Sequence, residues 1–275
     1  MAYIEVNIET SPEFSEIFMA ELGELGFEAF EEVDDGLLAY IKKEYFSQIL
    51  LDELVYRYEP LTILSVSQKE IEKKNWNKEW EKNYDPITVE DKCIVRASFH
   101  QPDKKYLHEI IITPKMSFGT GHHATTWQML KLQMEIDHKQ KKVLDVGSGT
   151  GILAIMANKL GAKLIEATDI DDWCIENSKE NFQVNQINDY TLKKGMIEKL
   201  SFDQKFDIVL ANINKNVLLT EIPLYVDLLE QNGTLLLSGF YQKDVADIKK
   251  IATENNLRHQ KTVSKDNWAA MLFTK

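Results

Sequence analysis

The chain has 275 residues, 44% of them hydrophobic and 28% charged, an ordinary balance for a soluble globular protein with length for one large or two modest domains. No apolar run approaches the roughly 18 residues of a membrane-spanning helix, and "MAYIEVNIET" has neither the basic region nor the apolar core of a secretion signal. All of the net charge of −12 lies in residues 1–60, where fifteen Asp and Glu stand against Lys42, Lys43 and Arg57. Such a face either keeps the chain soluble or attracts a basic partner, and it repels the phosphates of bare nucleic acid. No direct nucleic-acid binding and no membrane association are therefore expected. Cys93 and Cys174 have no metal-like spacing and read as buried, inert thiols of a reducing, cytoplasmic setting.

The first seventy or so residues read as strand–helix–strand–strand–helix–strand. Ile4, Val6 and Ile8 alternate with polar neighbours as a half-buried strand should. In "SPEFSEIFMAELGELG", Ser11 is placed to cap a helix, Pro12 sits in its first turn and glycines close it. "FEAFEEV" and "LLAYIKK" flank Asp34-Asp35-Gly36, a turn with glycine where a positive φ is needed. "EYFSQILLDELVYRY" places Phe46, Leu50 and Leu54 on one helical face, and "LTILSVSQ" supplies the last strand. This order is that of a small α+β ferredoxin-like sandwich, assigned to residues 1–67. Residues 68–90 read as a charged linker in which Trp76 and Trp80 share one face of a helix. Short strands interrupted by Pro86, Pro102 and Pro114 follow.

Nine of the twelve glycines lie between Gly119 and Gly239. There, apolar strands such as "KKVLDVG", "KLIEATDI", "FDIVLANI" and "GTLLLSGF" alternate with helical runs. That pattern predicts a parallel sheet covered on both faces, within an α/β domain assigned to residues 91–275. "NWAAMLFTK" supplies a final strand.

In "VLDVGSGTGILAIMA" a buried strand ends at Asp145 and Val146, and Gly147, Gly149 and Gly151 lead into a helix. Glycines at such a turn let the backbone approach a ligand closely, at the strand ends where open α/β sheets bind ligands. The G-x-G-x-G spacing differs from the G-x-G-x-x-G of dinucleotide sites. Asp169, twenty-two residues after Gly147 at the end of the next strand, can accept from both hydroxyls of a ribose, while Asp171 better suits a helix cap. "SFGTGHHATT" at 117–126 is not a phosphate loop, because no lysine follows Gly121, and the adjacent His122 and His123 lack partners for a zinc site. On the fourth strand, the Asn212 carbonyl can hold an amine by its N–H and aim its lone pair.

Glycine turn, ribose carboxylate and fourth-strand "FDIVLANI" together resemble the Rossmann-like class I methyltransferases that use S-adenosylmethionine. With "MSFGTGHHATTWQML" before them, the whole chain resembles the ribosomal protein methyltransferase A family. That resemblance implies methylation of lysine side chains and the N-terminal α-amine of the eleventh large-subunit ribosomal protein, with the acidic domain recognising that basic partner. It implies cofactor contacts at Thr126, Gly147, Asp169 and Asn212, with Asn212 also catalytic. Phe118, Gly119 and Gly149 would wall the same pocket, Met196 would neighbour the adenine, and the twin histidines would carry little information. No metal is implied, and a monomer is the working expectation. Two departures from the family pattern, Thr113-Pro114-Lys115 and Ser117, fall upstream of the matched contacts. A dehydrogenase, or a methyltransferase acting on another protein or small amine, is the alternative.

Overall fold

The computed structural model describes residues 3–33, 35–62, 64–71, 84–115 and 118–275. The chain divides into two compact units, Met1–Asn83 and Tyr84–Lys275. The expected tryptophan-bearing linker helix falls largely on residues 72–83, outside the described residues, as do Met116 and Ser117.

The first unit runs β1 (Tyr3–Glu9), α1 (Pro12–Glu24), β2 (Ala29–Val33), β3 (Gly36–Lys42), α2 (Gln48–Tyr58) and β4 (Ser65–Ile71). Its sheet order is β2-β3-β1-β4, antiparallel throughout. Period-two alternation buries Ile4, Val6 and Ile8 of β1 against Phe18 and Leu22 of α1 and Leu51 and Leu54 of α2. A Cβ at Gly36 would lie 1.9 Å from the Ile8 carbonyl oxygen, so only glycine lets β3 lie against β1 there. Ser11 occupies the N-cap position of α1 with Pro12 following, but its side chain makes no capping bond; Ser47 caps α2 by accepting from Leu50 N–H. The expected face of α2 is corrected. The helix begins after Phe46, and Leu51 rather than Leu50 pairs with Leu54 in the core, leaving Leu50 exposed. With Phe46 outside the helix its packing no longer follows the helical period, and Leu51 and Leu54, three apart, share the buried face. β4 also continues four residues past the assigned limit of 67.

The second unit begins with a three-stranded sheet of β5 (Ile87–Val89), β6 (Cys93–Arg96) and β7 (His108–Ile111). Then come α3 (Ala124–Gln133), β8 (Lys142–Val146), α4 (Ile152–Lys159), β9 (Leu164–Asp169), α5 (Asp172–Val184), β10 (Thr191–Lys194), β11 (Phe206–Asn212), α6 (Lys215–Leu228), β12 (Leu229–Tyr241), α7 (Val245–Glu254), β13 (Arg258–Lys265) and β14 (Trp268–Thr274). The large sheet has the order β10-β9-β8-β11-β12-β14-β13. Its first five strands are parallel, and β14 inserts antiparallel between β12 and β13. This is the class I methyltransferase sheet. Leu236 of β12 joins the core on one face while Leu235 and Leu237 join the core on the other. Burial on both faces is why these strands are apolar without alternation. β13 was not anticipated: "RHQKTVSK" is mostly polar because it forms a sheet edge with little of either face buried. The direction of winding reverses between β8 and β11, and this places the ligand crevice at their carboxyl ends.

Candidate active site

The glycine turn forms where β8 ends. The amides of Gly147 and Ser148 both donate to the Thr168 carbonyl at 2.9 Å, tying the turn to β9. Gly147, Gly149 and Gly151 have φ of 71, 56 and 77°, and Gly151 is the N-cap of α4. Side chains are excluded there for definite reasons. A Cβ at Gly147 would meet Ile213 Cγ2 at 2.4 Å, and one at Gly149 would meet the Phe118 carbonyl oxygen at 2.3 Å. Asp169 accepts from Gly149 N–H at 2.9 Å and, through its other oxygen, from Asp171 N–H at 3.1 Å. Each carboxylate oxygen keeps further acceptor capacity. Asp171 caps α5 by accepting from Trp173 N–H at 2.9 Å, as its position suggested.

The stretch from Phe118 onward lies across this turn. Thr150 donates its N–H to the Phe118 carbonyl at 3.0 Å and its hydroxyl to the Gly119 carbonyl at 2.6 Å. His123 caps α3 by accepting from Thr125 N–H, and burial lowers its pKa, which keeps the ring neutral. Its ring meets Phe118 edge-on at 5.2 Å and Trp268 at 4.6 Å. Trp268 in turn stacks on Tyr241 at 4.1 Å, and its carbonyl accepts from the buried Gln128 amide at 2.9 Å.

After β11, the two asparagines of Ala211-Asn212-Ile213-Asn214 take different tasks. Asn214 caps α6 by accepting from Val217 N–H at 3.2 Å. Asn212 Oδ1 is buried with no hydrogen-bond partner, an arrangement that costs free energy unless a ligand completes it. Ile213 between them is wedged against Gly147 and Gly239, where a Cβ would strike it at 2.4 and 2.0 Å. The two glycines therefore set the bend that presents Asn212.

These elements enclose a cavity of about 450 Å³. Phe118, Gly147, Gly149, Asp169, Met196 and Asn212, all named in the sequence, line it. Thr126 and Gly119 are not among its lining residues. Thr126 is fully buried in the first turn of α3 with its hydroxyl unpartnered, and Gly119 supports the wall through its carbonyl. Trp268 and Glu221 line the cavity without having been singled out, and so does His123, which the sequence reading set aside. For Glu221 a signal existed, because Asn214, Val217 and Glu221 fall on one face of α6. For Trp268 none did, since only the insertion of β14 beside β12 brings it here. His123 corrects the dismissal of the twin histidines. Cys174 is a further correction: Cys93 is buried with its thiol pushed up to about 12, but Cys174 is half-buried and lines the cavity.

The electrostatics single out two carboxyls. Burial pushes Asp145 up to about 7, partly opposed by the bond from Ala154 N–H and reinforced by the charge of Asp169. Burial also raises Glu221, against the bond it accepts from Tyr225 and with help from Glu198. Among the described residues no group of His, Cys, Asp and Glu is arranged to hold a metal ion. The fittings suit a nucleoside. Asp169 keeps acceptor capacity that paired hydroxyls could use, Ile170, Met196 and Ile197 are apolar walls of the kind a flat base needs, and the glycine turn leaves room for backbone contact. The unpartnered Asn212 carbonyl lines the same cavity.

A sequence model described as ribosomal protein L11 methyltransferase (PrmA) matches residues 3–275. The ribosomal protein L11 methyltransferase of Phocaeicola vulgatus is 41% identical over 278 residues, which are 99% of each chain. That of Porphyromonas gingivalis is 43% identical over 280 residues, 98% of this chain and 93% of its own. The crystal structure of ribosomal protein L11 methylase from Lactobacillus delbrueckii subsp. bulgaricus aligns with a TM-score of 0.65 at 31% identity, covering 70% of this chain and 99% of that one. A methyltransferase from Pyrococcus furiosus shares the fold with a TM-score of 0.52 at 19% identity, over 60% of this chain and 89% of its own.

Proposed function

The chain belongs to the ribosomal protein L11 methyltransferase family, and we propose that it methylates lysine side chains and the N-terminal α-amine of that ribosomal protein. S-adenosylmethionine is the donor, and it supplies a methyl group on a sulfonium that is already a good leaving group. The observation that carries the reading is the unpartnered Oδ1 of Asn212, in the same cavity as the glycine turn and Asp169. An acceptor amine donates one N–H to this oxygen, which turns the nitrogen lone pair toward the methyl carbon. With the donor bound, the lone pair would form the N–C bond as the C–S bond broke onto sulfur, and the surplus proton would leave to water. A free lysine ammonium, of pKa about 10.4, must lose a proton first, and a cavity walled by rings and aliphatic groups favours the neutral amine. Positioning supplies most of the remaining acceleration. Gly147, Gly149, Asp169, Met196 and Phe118 hold the donor, with Gly119 supporting that wall through the bond its carbonyl accepts from Thr150.

The acidic unit captures the basic substrate. Its three basic side chains in residues 1–60 are each engaged by a glutamate: Lys42 with Glu28, Lys43 with Glu70 and Arg57 with Glu21. The uncompensated charge is therefore carboxylate, suited to long-range attraction of a basic protein.

The test uses labelled S-adenosylmethionine and ribosomal proteins from a strain lacking the enzyme, with the label located by mass spectrometry. Label on lysines and the N-terminal amine of L11 is expected. Label on a different protein would remove the substrate assignment, and label on a side chain other than an amine would remove the role given to Asn212.

A further inference from the structure

Two carboxylates line the cavity, Asp169 at the end of β9 and Glu221 in the second turn of α6. Asp169 is accounted for by the sugar, whereas Glu221 has no part in that contact. Val217, Glu221 and Tyr225 follow one another at helical spacing along one face of α6. Val217 and Glu221 reach the cavity, and Tyr225 is fully buried. The Tyr225 hydroxyl donates to Glu221 Oε2 and fixes the carboxylate from the core. Among the described residues Oε1 has no hydrogen-bond partner. Burial raises the carboxyl above its ordinary range, as expected of an acceptor held near apolar groups with few donors.

This part of the wall also belongs to the base. Ile197 shares a core cluster with Leu218, Ile222 and Tyr225 of α6, and the charge of the next residue, Glu198, acts on Glu221. Glu221 therefore stands with Met196 and Ile197, while Phe118, His123 and Trp268 gather elsewhere on the wall. Aliphatic side chains can cover the faces of a flat base, but they cannot tell one base from another. Its edge must be read by a polar group. Adenine joined to ribose has one hydrogen-bond donor, the 6-amino group, and an ionised carboxylate only accepts. We propose that Glu221 is a donor-specificity residue whose Oε1 accepts from the 6-amino group of S-adenosylmethionine, so that Asp169 reads the sugar and Glu221 the base. The assignment rests on S-adenosylmethionine as the methyl donor and is independent of the acceptor.

The experiment measures binding by calorimetry on the full-length protein without acceptor, which keeps its outcome separate from the amine reading. The two ligands are S-adenosylhomocysteine and its analogue with hydrogen in place of the 6-amino group. The parent protein is expected to bind the first about thirtyfold more tightly, the loss of one hydrogen bond to a charged group. E221Q keeps an acceptor oxygen without the charge, and its preference should fall to about threefold, while E221L should show none. Each preference is a ratio on one protein, so a general loosening of the site leaves it unchanged. If E221L fails to fold, E221Q, of the same shape, still decides. A parent ratio near one would overturn the proposal. So would a parent-like ratio in the variants, which would assign the base edge to backbone groups. A parent protein that binds neither compound would instead overturn the nucleoside reading of the cavity, and this assignment with it.

Discussion

The glycine turn has two sides, and they treat polar groups differently. On the side of α5, Asn181 accepts from Thr113 N–H and donates to the Thr150 carbonyl and to Asn177 Oδ1. Ser178 donates to the Gly149 carbonyl, and Asn185 exchanges two bonds with the backbone of Ile111. Only the Asn177 amide nitrogen is left over among these side chains. On the cavity side, Asn212 Oδ1 has no partner, and Asp169 holds two backbone amides with capacity to spare. Asparagine thus serves two purposes within one site. On the side of α5 it builds the turn, and on the cavity side Asn212 leaves an acceptor open.

Mutating the two sides should separate the losses. The largest effect is expected from N212A, which should slow methyl transfer about 10³-fold, near 4 kcal/mol of barrier. Its melting temperature should stay at or above that of the parent, because an unsatisfied buried oxygen is removed. Radiolabel incorporation and a thermal melt on one sample decide this, and a variant that melts early would place Asn212 with the structural group. Asp145 stands between the sides, with one oxygen bonded to Ala154 N–H and the other unpartnered. Its carboxyl is ordinary in the unfolded chain but is pushed up to about 7 in the fold. Between those values the folded protein holds a proton that the unfolded chain has released, so stability falls as pH rises to about 7 and then levels off. The slope corresponds to about 1.4 kcal/mol per unit of displacement. D145N should flatten it, measured as urea stability from pH 4 to 8 without ligand. An identical slope in D145N would assign the pH response to other groups. The smallest effect is expected from N181A, a loss of about 2 kcal/mol from the backbone groups it strands. Here chemical unfolding should report the change first, with donor affinity falling only as the turn loosens. Full stability with abolished transfer would reverse the assignment of the two sides.

Much of this was legible in the residues themselves. Spacing picked out Gly147, Gly149 and Asp169, because a strand, a turn and a helix each impose a local period that the chain must write down, whereas Asn212 was named by its resemblance to the fourth-strand motif of methyltransferases. Asp171 was separated from Asp169 for the same reason, one suiting a cap and the other a strand end. Local spacing was least reliable where an element's start decides its face, as in α2, where Leu51 and not Leu50 is buried. It failed for β13, whose polar edge carries no strong pattern.

By itself the sequence determined the alternation of strands and helices, the acid-bearing first unit and the glycine turn with its neighbouring carboxylate. These depend on interactions between residues near one another in the chain. The tertiary structure alone decided that Trp268 reaches His123 and Phe118, that Asn181 holds the turn, and that Cys174 meets the cavity. Those contacts depend on the insertion of β14 between β12 and β13 and on the packing of α5 behind the turn. Sheet order is settled by the joint burial of both faces rather than by any local period.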